Sequence, residues 1–283
     1  MMNDRPIGIH VSLWTPAWMD DVVAHIHTAA QLGFDAVELP IMDPQAFPLA
    51  RCRAALQATG LTVHCGTGLN PSTDLSSLDS GVRAAGLAHL AQCLTIAHAL
   101  GSASLEGVVH SAWGRRGLLS KQERQHMVDG LRQTADTAAT LGMFVGLECV
   151  NRYESSVLNT VDQGLALLAE IQRDNVGLHL DTYHMNIEEN SIPQALRTCG
   201  RQLFFLHLSE NQRGYPGSGH LPWETIFSTL AEIQYSGPLV IESYVTPACP
   251  AGEDVAIWRE IEKDTHTSLR TSLAYMRRLA DKG

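Results

Sequence analysis

The chain has 283 residues, with 20 Lys+Arg against 30 Asp+Glu (formal charge −10) and 45% apolar against 18% charged residues. That composition supports a substantial core and excludes a disordered chain. The acidic balance, without a basic run, argues against nucleic acid as a partner, and no apolar stretch reaches membrane-spanning length.

The opening residues, MMNDRPIGIHVSLW, lack a charged and then apolar leader with a small-residue cleavage site. Secretion is therefore not expected, and the cytoplasm is. Short apolar runs then alternate with amphipathic stretches along the whole chain. Strands are predicted at 7–13, 35–39, 61–65, 103–109, 144–148, 176–181, 203–208 and 238–243. Helices are predicted near 18–32, 49–59, 80–100, 121–142, 160–173, 192–200, 222–234 and 254–280. Gly33, Gly60, Gly101, Gly142, Gly200 and Gly237 each stand between a helix and the next strand, where a C-terminal cap belongs. Eight such units predict an α/β fold, a (β/α)₈ TIM barrel formed as one domain over residues 1–283. An open doubly wound sheet is the alternative, but it usually has fewer strands and a glycine fingerprint absent here.

The six cysteines, Cys52, Cys65, Cys93, Cys149, Cys199 and Cys249, are scattered without a C-x-x-C pair, as expected of reduced thiols. All but three of the 20 basic residues are Arg, and none of Lys121, Lys263 and Lys282 lies in a strand, which disfavours Schiff-base chemistry.

In such barrels chemistry gathers at the C-terminal ends of the strands. There the chain places Glu148, Asp181, His207 and Glu242, on the fifth to eighth strands. Side chains alternate faces along a strand. Turning these four inward sends Val145, Leu147, Val176, Leu178, Leu180, Phe204, Leu206, Leu239 and Ile241 toward the helices. Three converging carboxylates must be protonated, paired or bound to a cation. Three oxygen donors and one imidazole suit Mn²⁺, Mg²⁺ or Co²⁺ with open positions, and suit structural zinc poorly.

Glu154, His184 and Arg213 sit in the loops that leave these strands and are spaced to join the site. Glu38 has the inward phase but could equally be structural. His10, His64, His110 and His179, in or at the ends of strands, are expected to pack or hydrogen-bond rather than ligate. His220 lies in the loop after the seventh strand.

The segments GLECVNRYE (146–154), LDTYHMNIEE (180–189), HLSENQRGYPGSGHLPW (207–223) and VIES (240–243) resemble the ketose 3-epimerases. That group covers the D-tagatose, D-psicose (D-allulose) and L-ribulose 3-epimerases within the xylose-isomerase-like barrels. LWTPAWM and LGFDAVEL extend the resemblance over nearly the whole chain. It implies that Glu148, Asp181, His207 and Glu242 bind a divalent metal, Mn²⁺ foremost, with Glu148 and Glu242 catalytic. Glu154, His184 and Arg213 would grip the substrate's first oxygens, with Trp14, Cys65 and Trp113 nearby. His10 and His110 fall where pocket walls vary within the group, and His220 occupies a loop position where the resemblance leads one to expect a cation such as Arg.

Inverting a carbon beside a carbonyl requires removing an α-proton and returning one to the opposite face through an enediolate, hence a carboxylate on each face. The implied partner is a free ketose such as D-tagatose, D-fructose, D-psicose or L-ribulose, and the implied assembly is a homodimer or homotetramer. An aldose–ketose or hydroxypyruvate-type isomerase shares the fold, metal and enediolate. An apurinic endonuclease-like hydrolase shares several ligands, but the GSGH of the 207–223 segment has no Asp two residues before His220.

Overall fold

The computed structural model describes residues 5–15, 17–18, 20–247 and 250–281. Eight strands run in chain order: β1 (Ile7–His10), β2 (Ala36–Pro40), β3 (Thr62–Gly66), β4 (Ser104–Gly107), β5 (Phe144–Glu148), β6 (Val176–Asp181), β7 (Leu203–Leu208) and β8 (Leu239–Ile241). Each pairs in parallel with the next, and β1 pairs with β8, which closes the barrel. The helices before β5 are α1 (Val23–Leu32), α2 (Leu49–Thr59), α3 (Ser80–Leu100) and α4 (Lys121–Thr140). After it come α5 (Val161–Ile171), α6 (Thr182–Glu188), α7 (Ile192–Cys199), α8 (Trp223–Glu232), α9 (Pro250–Asp254) and α10 (Thr265–Ala280).

Local chemistry explains several boundaries. Ser120 with Glu123 and Thr160 with Gln163 form reciprocal capping boxes that start α4 and α5. Gly33, Gly60 and Gly101 end α1, α2 and α3 in the left-handed conformation. Gly237 does not act as a cap: α8 ends sooner, and Gln234 takes the positive φ of 55°. The strand predicted at 7–13 stops at His10, where a 3₁₀ turn over Val11–Leu13 begins. The helix predicted near 18–32 begins at Val23, and in the stretch 254–280 only Asp254, the last residue of α9, and the residues from Thr265 are helical.

Val145, Leu147, Val176, Leu178, Leu180, Leu206, Leu239 and Ile241 are buried in the core cluster they share with the surrounding helices. Phe204 departs from the expected phase. Leu178 pairs with Leu203 but His179 pairs with Phe205, so β7 carries one extra residue. Phe204 meets Phe144 edge-on at 5.4 Å and fills the space that a side chain at Gly177 would need. Cys52, Cys65, Cys93, Cys149 and Cys199 are buried free thiols, while Cys249 and Lys282 lie outside the described residues. Among the described residues no helix is long and apolar enough to cross a membrane.

Candidate active site

The C-terminal ends of β5 to β8 bring Glu148, Asp181, His207 and Glu242 together. Ligand atoms of Asp181, His207 and Glu242 lie within 4.8 Å of one another, as do those of Glu148, Asp181 and His184. Asp181 divides its two oxygens. Oδ1 accepts from the Tyr183 backbone N–H at 2.7 Å and caps α6, while Oδ2 faces the site. That helix, absent from the sequence expectation, carries His184 to the carboxylates.

His207 shows how the centre is prepared. Its Nε2 donates to Glu38 Oε2 at 2.6 Å, both side chains being buried. Glu38 reaches it across Gly66, where a Cβ would stand 2.8 Å from Glu38 Oε1. The other nitrogen, Nδ1, is buried without a partner, 3.5 Å from Glu242 Oε2 and 3.9 Å from Asp181 Oδ2. An imidazole anchored by a carboxylate on one nitrogen and free on the other is a prepared metal ligand. The donor set therefore fits a divalent cation. Glu38→Gln is expected to lower cation affinity about 10–100-fold. Competition with a chelating dye would measure this, and unchanged affinity would remove Glu38 from the centre.

Arg213 stands among the same carboxylates, Nη1 lying 2.5 Å from Asp181 Oδ2 and 2.6 Å from Glu242 Oε2. Its Cζ lies 4.4 Å from the Tyr183 ring centre and 5.3 Å from that of Tyr244. Its backbone holds φ +67°, uncommon outside glycine. Glu210 organises this loop: its buried carboxylate accepts from the backbone N–H groups of Asn211, Gly217 and Leu221 and from Trp223 Nε1.

His184 Nδ1 accepts from the Asn151 backbone N–H at 3.2 Å and lies 2.8 Å from Asn151 Nδ2. Burial, then Arg213, pushes its pKa well down, and Arg213 Nη2 lies 3.2 Å from its Nε2. Glu154 accepts from Asn151 Nδ2 at 2.9 Å and from Trp113 Nε1 at 3.3 Å. His110 Nε2 lies 3.2 Å from the Glu148 carbonyl oxygen and steadies the end of β5. His10 Nδ1 accepts from the Ser12 backbone N–H and is 4.0 Å from Glu242 Oε1. Tyr244 donates to that same Oε1 at 3.2 Å.

The carboxyl groups differ sharply. Burial, then the Glu242 charge, raises the Glu148 pKa well above the ordinary range. Burial also acts to raise Glu242, but His207 and Arg213 overcome it and hold this group well below that range. Burial outweighs Arg213 at Asp181, which rises to about 7. Burial lowers the His207 pKa, but Glu38 and Glu242 carry it to about 10.

Glu154, His184, Arg213 and Trp113 line the cavity with Glu148, His207 and Glu242. Trp14 and Cys65 do not. The 3₁₀ turn after β1 carries Trp14 away to stack on His25, their ring centres 5.7 Å apart, and Trp18 stands at the wall instead. Cys65 pairs in register with Leu39, one residue out of phase with Glu38, so its thiol faces the helices and Gly66 lines the cavity. His220 is exposed and outside the cavity lining. Asn151, Glu210 and Tyr244 are the additions that the fold makes to the expected set, and Glu38, whose role the sequence left open, anchors His207.

Residues 26–277 match the xylose isomerase-like TIM barrel family. The chain is 37% identical over 268 residues to a ketose 3-epimerase of Arthrobacter globiformis, covering 91% of each chain. It is 34% identical over 274 residues to an L-ribulose 3-epimerase of Methylomonas sp., covering 95% of this chain and 96% of that one. The crystal structure of a D-allulose 3-epimerase from Methylomonas sp. in complex with D-allulose superposes with a TM-score of 0.92 at 34% identity, covering 97% of each chain. With this barrel, this acidic centre and these relatives, the chain belongs to the ketose 3-epimerase family of the xylose-isomerase-like TIM barrels.

Proposed function

We propose that this protein inverts C3 of a free ketose such as D-tagatose, D-fructose, D-psicose or L-ribulose. It would use a divalent cation held by Glu148, Asp181, His207 and Glu242, with Mn²⁺ preferred over Co²⁺ or Mg²⁺. The observation that carries the proposal is the unpartnered His207 Nδ1 beside the Asp181 and Glu242 carboxylates. The ion, when bound, would act as a Lewis acid toward charge developing on the ketose oxygens.

The protein's own groups supply the rest. Glu148 and Glu242, whose proton affinities are pushed in opposite directions, serve as the acid–base pair, one removing the C3 proton and the other returning one to the opposite face. Arg213 Nη2, 3.2 Å from His184 Nε2, is a donor from which an incoming oxygen can accept. Glu154, held by Asn151 and Trp113, accepts from a substrate hydroxyl. The Trp18, Trp113 and Tyr244 rings, packed edge-on at 6.2 and 5.8 Å, close over the sugar's carbon face. The test is the stereochemistry of the product from a panel of free ketoses in deuterated water. C3-inverted ketose carrying deuterium at C3 is expected, and an aldose product would overturn the assignment.

The free sugar should be preferred over its phosphate by about a hundredfold or more in kcat/KM. Phosphate requires backbone amides and cations at the late loops. Here Glu210 takes the amides of Asn211, Gly217 and Leu221, and Arg213 engages Asp181 and Glu242. Comparable efficiency on both substrates would contradict this. A cytoplasmic location and a homodimer or homotetramer, implied by the reduced-thiol pattern and the family resemblance respectively, complete the proposal.

A further inference from the structure

We propose that Asp254 is a positioning residue for the sugar: it clasps Trp18 at the mouth of the cavity, so that the indole is in place before a ketose enters. This rests on the ketose-binding function proposed above and adds to it a residue outside the cavity lining.

Trp18 and Asp254 stand 236 residues apart, in the segments that follow β1 and β8. The Trp18 Nε1–H donates to Asp254 Oδ2 at 2.8 Å and so joins the two segments across the mouth. The Trp18 ring also meets Trp113, from the loop after β4, at 6.2 Å and Tyr244 at 5.8 Å. Trp18, Trp113, Tyr244 and Val255 all line the cavity. With Ile257 and Ile261 they form a small apolar cluster of their own, distinct from the main core.

The two halves of the clasp differ in support. On the β8 side the chain leaves α9 by a left-handed turn, with φ +59° at Ala256 and the Ile257 N–H donating to the Gly252 carbonyl at 2.8 Å. Val255 and Ile257 are buried on either side of that turn, and the Ile261 N–H donates to the Val245 carbonyl at 2.9 Å. Asp254 is thus carried on a fixed support. On the β1 side the hydrogen bonds beside Trp18 are local, between Ala17 and Asp20. Among the described residues, the bond to Asp254 is the one that ties the Trp18 side chain to another loop. Asp254 is the last residue of α9, where the carbonyl end of a helix disfavours negative charge, so the helix itself gains nothing from it.

A wall against the sugar's carbon face holds the bound ketose and the enediolate alike, so loosening it raises KM and leaves kcat in place. Asp254→Ala should raise KM about threefold to tenfold for a ketose that the wild type turns over, the cost of ordering one freed side chain. Its kcat should stay within about twofold of wild type. Residue 254 is exposed, so this variant should also keep the wild-type Tm, which separates the clasp from a role in folding. Asp254→Asn retains an oxygen acceptor and should restore most of the KM. Trp18→Phe keeps a ring without the N–H, and its effect on KM should shrink once Asp254→Ala is present. An unmoved KM in Asp254→Ala, an Asp254→Asn protein as impaired as Asp254→Ala, or fully independent effects of the two substitutions would overturn the proposal. A wild type that turns over no ketose would instead remove the proposed function, and this proposal with it.

Discussion

Glu148→Gln and Glu242→Gln are each expected to lose turnover by about a thousandfold or more, the range of a positioned general base. Glutamine keeps the length and one carbonyl oxygen, so a cation can still bind, more weakly, but the side chain can no longer carry a proton. The two positions end strands on different sides of the centre, with β6 and β7 between them. Their surroundings also differ. Glu242 holds one oxygen against Tyr244 and the other beside His207 and Arg213, whereas Glu148 is raised by burial and by the Glu242 charge. The variants should therefore fail unequally. With one carboxylate removed, the other can still exchange the C3 proton of one epimer with solvent, without inversion. Deuterium incorporation into each epimer, with metal at saturation, separates the two faces. Near wild-type interconversion in either metal-loaded variant would end the two-base assignment.

Exhaustive removal of divalent ions is expected to abolish activity, and Mn²⁺ or Co²⁺ should restore it. At a free concentration one hundred times the dissociation constant, the ion should stabilise the fold by about 2.7 kcal/mol, seen as a higher Tm. Binding should also release protons. His207 holds its proton up to about 10 and must surrender it to ligate through Nδ1, and Glu148 is likewise raised. Each proton released makes affinity rise about tenfold per pH unit below the relevant pKa, so binding weakens as pH falls from 8 to 6. Titration calorimetry in buffers of different ionisation enthalpy counts those protons. Full activity in metal-free protein, or binding with no proton release, would contradict the proposed centre.

The barrel was legible because β/α alternation is written into local hydrophobic periodicity, and the four clustered residues because strands alternate faces strictly. The same parity argument applied to LTVHC puts Cys65 with Val63 on the helix side, so that error was avoidable from sequence. Trp14 was not avoidable in this way: a strand and a 3₁₀ turn diverge after His10, and no pattern in the segment marks the switch. The inserted residue at Phe204 is equally silent, since a bulge changes pairing without changing composition. Glu38, Asn151 and Glu210 act through partners distant in sequence, at separations of 169, 33 and 13 residues for His207, His184 and Trp223. Only the closed barrel brings them together.

The division of labour within Asp181 bears on how this enzyme can change. One oxygen starts the helix that delivers His184, and the other faces the cation centre. A replacement that retunes the ion at this position and cannot accept the Tyr183 N–H also loosens the helix that presents the substrate-facing His184. Adaptive paths through position 181 are thus constrained by pleiotropy: a gain in one trait arrives with a loss in another. Laboratory selection for a new ion or a new sugar should leave this aspartate untouched and accumulate its changes at Trp18, Tyr244 and His179, which line the cavity without capping a helix.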